Sequence, residues 1–142
     1  MGPNEAPIAA GSVAVSIELR MLAWSIVLGL VQILLQAHSA SFQVGYRWAA
    51  AAREARPPLT GIAGRLERAL RNFLETFPLF AAAVLAVHGA GREGTLSATG
   101  ATLYLAARVA YVPLYAAAVP LVRSLVWNLA LAGIVMILLA LL

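Results

Sequence analysis

Two polar stripes run through an otherwise apolar chain. Arg68, Arg71, Asn72 and Glu75 stand at offsets 0, 3, 4 and 7, so in a helix all four share one face. Tyr104, Arg108, Tyr111 and Tyr115 stand at offsets 0, 4, 7 and 11, again one face, and Arg123 follows in the next segment. Guanidinium groups hold carboxylates through paired hydrogen bonds, and the acid of Glu75 could hold an ammonium. The chemistry suits a small anionic ligand that carries carboxylates and a free amine.

Other chemistries lack their residues. The chain has no cysteine, which removes thiolate metal sites and disulfides. His38 and His88 stand apart, with no second histidine or carboxylate at ligand spacing, and read as interface residues rather than metal ligands. There is no Ser-His-Asp set, no glycine-rich phosphate loop and no carboxylate pair at catalytic spacing.

The elements that carry the stripes are set by hydropathy. Of 142 residues, 62% are hydrophobic and 11% charged, against about 25% charged in soluble globular domains. That excess of apolar surface needs lipid. The runs predict an all-α, integral membrane four-helix bundle forming a single unit over residues 1–142, with spans at about 17–37, 68–88, 95–116 and 122–142. Between the first two spans lies a polar stretch, broken by Pro57-Pro58, in which Thr60, Gly61 and Gly64 read as a loop leading into the next helix. The N-terminus lacks the basic region of a signal peptide, so the first span reads as retained, and no myristoylation pattern follows Gly2. Trp24, Trp48 and Trp127 read as interface or packing residues.

Net charge is +4, carried entirely by arginine. A basic loop on a membrane protein accounts for it without nucleic acid as a partner. Arginines concentrate in the loop after span one, with Arg123 after span three, which predicts those loops cytoplasmic and both termini on the non-cytoplasmic side. Alanine, glycine and arginine without lysine suggest a GC-rich bacterial genome, hence the bacterial inner membrane. At 1.5 Å per residue, Arg108 lies roughly 12 Å from the cytoplasmic end of its span and Glu75 roughly 10 Å from its own. Their similar depth predicts an ion pair, either purely structural or part of a binding site.

The run Arg65-Leu66-Glu67-Arg68-Ala69-Leu70-Arg71-Asn72-Phe73-Leu74-Glu75-Thr76-Phe77-Pro78-Leu79-Phe80 resembles the second-helix signature of the MAPEG family, the membrane-associated proteins in eicosanoid and glutathione metabolism. Pro57-Pro58-Leu59-Thr60 is similar to a family loop. Ala107-Arg108-Val109-Ala110-Tyr111 with Tyr115 resembles the third-helix signature, and Arg123 is similar in place to the arginine that opens the family's fourth helix. The resemblance covers nearly the whole chain. It implies a homotrimer with glutathione as cofactor, bound between neighbouring subunits. Arg68, Asn72, Glu75, Tyr111 and Tyr115 would then contact glutathione, with Arg71 basic as in some members, Arg108 among the site's helices and Arg123 stabilising the thiolate. The implied activity is that of a membrane-bound transferase or peroxidase acting on a hydrophobic small-molecule substrate that arrives from the lipid.

The sequence departs from the family pattern in places. Gln43 and Arg47 are the nearest candidates for a basic residue after helix one, some members have histidine where Tyr111 stands, and the gap from Tyr115 to Arg123 differs by about one residue. The family includes a member that binds lipid without catalysis. The alternative reading is therefore a non-catalytic lipid-binding protein or an accessory subunit of a membrane complex. A transporter ranks behind both, because one protomer has too few spans for a midplane substrate site.

Overall fold

The computed structural model describes residues 14–47 and 58–142. Readings that concern the N-terminal eleven residues, Trp48 or Pro57 lie outside them. Among the described residues are four helices: α1 (Ile17–Val44), α2 (Gly61–Gly89), α3 (Thr95–Ala116) and α4 (Pro120–Leu141). Helices α1, α2 and α4 are long and apolar enough to cross a membrane. Helix α3 has 22 residues, also a spanning length, but Thr95, Ser97, Thr99, Thr102 and Arg108 dilute its hydropathy. The protein is an integral membrane protein.

Two boundaries differ from the hydropathy reading. Helix α1 continues past the apolar run to Val44, and α2 begins at Gly61 rather than near Arg68. Gly61 and Gly64, expected in a loop, are helical. Hydropathy marks where lipid ends, whereas a helix persists until its backbone hydrogen bonds find a stop. For α1 the stop is Gly45, whose φ of 90° favours glycine. Gln43 ties this end to the start of α2: its Nε2 donates to Thr60 Oγ1 at 2.5 Å, and its Oε1 accepts the Thr60 N–H at 3.1 Å. Gly64 is required by a close approach, since a Cβ there would sit 2.5 Å from the Leu59 carbonyl oxygen.

Helices α2 and α3 each pack against both other helices, and among the described residues α1 and α4 do not touch. Helices α3 and α4 approach through glycine. A Cβ on Gly100 would lie 2.6 Å from the Gly133 carbonyl oxygen, and the reverse contact is equally tight. The core between α2, α3 and α4 holds Phe80, Val84, Val87, Ala101, Ala130 and Ile137, all fully buried. Phe80 stacks on Tyr104 with ring centroids 3.9 Å apart. Outside this core, Trp24, Leu34, Leu79, Leu125 and Leu139 are more than half exposed. Water would penalise so many bare apolar side chains; hydrocarbon does not.

Candidate functional site

Arg108 is the pivot of the polar interior. It is 1% exposed. Its Nη1 donates to Asn72 Oδ1 at 2.7 Å and its Nη2 to Thr76 Oγ1 at 2.5 Å. The guanidinium lies 5.5 Å from the ring centroids of both Tyr104 and Tyr111. Thr76 also contacts the Tyr104 hydroxyl at 3.3 Å. The expected ion pair of Arg108 with Glu75 does not form within the protomer. The reason is rotation: Asn72 and Thr76 face α3, whereas Glu75 is exposed on another side of α2. Two neutral oxygens and two aromatic faces solvate this cation instead of a carboxylate.

The predicted residues divide between two concavities. The first, about 270 Å³, is lined by Asn72 from α2, Tyr111 from α3, and Arg123, Ser124, Trp127 and Asn128 from α4. Arg123, Ser124, Trp127 and Asn128 are one helical face, at offsets 0, 1, 4 and 5. The Arg123 guanidinium stacks over Tyr115 at 4.6 Å from the ring centroid, and Tyr115 leans on Tyr111 at 5.4 Å. Among the described residues no carboxylate pairs with Arg108 or Arg123. This side of the bundle is thus a cationic, donor-rich pocket. The Trp127 indole N–H and Arg108 Nε are buried without a hydrogen-bond partner, and buried donors are normally satisfied.

The second concavity, about 430 Å³, is lined by Gln36 of α1 and by Glu67, Leu70, Arg71, Leu74 and Glu75 of α2. Arg68, Arg71 and Glu75 are all exposed. The α2 stripe therefore splits: Asn72 faces the first pocket, while Arg71 and Glu75 line the second.

Some members of the site were not anticipated. Thr76 holds Arg108, a role signalled only by its position one turn after Asn72. Trp127, read as an interface or packing residue, lines the first pocket. Arg65 donates from Nε to the Ala116 carbonyl at 2.8 Å, which ties the start of α2 to the end of α3 and so fixes the turn that launches Arg123. Gln43, weighed as a ligand contact, is committed to Thr60.

No curated protein and no solved structure matches the chain. A family model does: that of the MAPEG family matches residues 21–142, nearly the whole length. The match takes in α1 from Met21 onward, the other three helices and every residue of both concavities, and with it the four-helix membrane plan and the arginine, asparagine and tyrosine stripes have one explanation: the chain belongs to the MAPEG family.

Proposed function

We propose that this MAPEG protein binds glutathione and uses it as a membrane-bound transferase or peroxidase toward hydrophobic electrophiles. The observation that carries this reading is the convergence of Asn72, Tyr111 and Arg123 on one pocket, with Arg108 locked behind them by Asn72 and Thr76. The donor set fits the ligand. Guanidinium, phenol, amide and an unpartnered indole N–H meet there, and glutathione offers carboxylates and a thiol that becomes a nucleophile on ionisation. Arg123 and the tyrosines would favour the ionised sulfur, and Arg108 would hold Asn72 and Tyr111 in place.

Arg68, Arg71 and Glu75 fit the same reading only in an assembly. They face outward in one protomer, so a neighbouring copy would bring them to the ligand. The proposed assembly is a homotrimer in the bacterial inner membrane, with both termini on the non-cytoplasmic side. The electrophile would enter from the bilayer, since the surrounding helix faces are apolar and exposed.

The test is glutathione binding to the detergent-purified protein and to Asn72→Ala, Arg68→Ala and Glu75→Gln. Binding weakened by all three supports one site completed between copies. Wild-type protein that binds no glutathione, with lipid retained in the pocket instead, would support the non-catalytic lipid-binding or accessory reading.

A further inference from the structure

At the opposite end of the bundle from Arg123, a groove of about 800 Å³ runs between the start of α1 and the outer face of α3. It begins at Glu18 and Glu93 and continues along Ala98, Thr102 and Ala106. From Gly94 to Ala106 the helix rises about 18 Å, close to the depth of one leaflet of a hydrocarbon core roughly 30 Å thick. Its walls are mostly apolar, and its carboxylates are gathered at the end nearest the α2–α3 turn.

Glu18 makes this groove more than a lipid-facing crease. It is 3% exposed although it stands in the first turn of α1. One of its oxygens accepts from the Ser97 hydroxyl. Among the described residues no arginine or histidine pairs with it, and its other oxygen takes no hydrogen bond. A buried carboxylate with a single neutral donor is costly unless a cation joins it. The neighbouring carboxylate of Glu93 is committed to His88, 2.8 Å away, and adds negative charge at the same mouth. Arg92, the preceding residue, is exposed in the same turn and supplies the opposite charge.

We propose that this groove binds a bilayer lipid with a free ammonium in its head group. The ammonium would sit on Glu18, the phosphate would lie toward Arg92, and one acyl chain would run down α3. A site of this kind is independent of the glutathione pocket, so either proposal can fail without the other.

The experiment is native mass spectrometry of the full chain from bilayers holding equal phosphatidylethanolamine and phosphatidylglycerol. The comparison variants are Glu18→Gln and Thr102→Phe. Thr102 is exposed, so its substitution fills the groove without disturbing the core. Wild-type protein should retain phosphatidylethanolamine preferentially. Glu18→Gln should reduce that retention about tenfold, the loss of one charge-assisted hydrogen bond. Thr102→Phe should reduce retention of either lipid. Equal retention of the two lipids by wild-type protein would overturn the proposal. So would a Thr102→Phe variant that still holds phosphatidylethanolamine, or cross-links showing another copy of the chain seated in the groove.

Discussion

Arg108 and Arg123 are both guanidinium groups at the polar end of the bundle, yet their surroundings assign them different work. Arg108 has lost its water and is held by Asn72, Thr76 and two tyrosine rings. Removing one acceptor strands a buried charged donor, at a cost of about 1–3 kcal/mol. Thr76→Val should therefore lower thermal stability in detergent by that amount. Arg108→Lys should not rescue the fold, because a point ammonium cannot reach both oxygens as the planar fork does. Arg123 is partly exposed, stacked on one ring and facing the pocket. Arg123→Ala should leave stability nearly unchanged, whereas turnover with an electrophile should fall about a hundredfold, as when a charge-stabilising donor is removed. Steady-state kinetics beside a melting curve separates the two outcomes.

Glu93, in the turn between α2 and α3, gives a pH dependence. Hydrogen bonds from the Ser16 hydroxyl and the His88 ring hold its carboxyl below the ordinary value of 4.5. A depressed native pKa means the stabilisation is complete above the unfolded value and is lost as pH falls through the native one. The melting temperature of wild-type protein should thus drop more steeply below pH 4.5 than that of Glu93→Gln, with the two curves running parallel at neutral pH.

At the scale of elements, the turn from α3 to α4 aims Arg123, and it contains strain. Ala118 has φ of 59°, a conformation disfavoured for a residue with a Cβ. Ala118→Gly should raise stability by about 0.5–1 kcal/mol, measured by thermal unfolding. The glycine contact between α3 and α4 predicts the opposite sign for a larger side chain. Gly100→Val would drive methyl groups into the Gly133 carbonyl and Met136, and should cost about 1–3 kcal/mol.

These elements also show what the sequence could reveal. Apolar runs located all four helices, because lipid demands long uncharged segments. They misplaced the end of α1 and the start of α2, where the helix continues beyond the apolar region. Helical spacing placed Asn72, Arg108 and Tyr111 in one neighbourhood. It could not tell that Arg71 and Glu75 turn to a different concavity from Asn72, since that depends on the rotation of α2 against α3, which packing decides. Trp127 and Thr76 went unnoticed as site residues because tryptophan and threonine are ordinary in membrane helices. Their roles emerge only from a missing partner in one case and a buried cation in the other.

At the scale of the whole molecule, one protomer leaves Arg68, Arg71 and Glu75 exposed on a helix apolar enough to cross a membrane. Charges are costly against hydrocarbon, so this face calls for a protein neighbour or an aqueous cleft. The proposed trimer supplies the neighbour, and native mass spectrometry from lipid nanodiscs should show three copies. The role proposed for Arg123 is to act on the glutathione sulfur within the pocket of Asn72 and Tyr111. Its most direct test is the ultraviolet absorbance of the thiolate on mixing glutathione with the protein at neutral pH. Wild-type protein should develop the thiolate band, and Arg123→Ala should bind glutathione without it. A saturated wild-type protein with no thiolate band, or a band of equal size in Arg123→Ala, would rule out that role for Arg123.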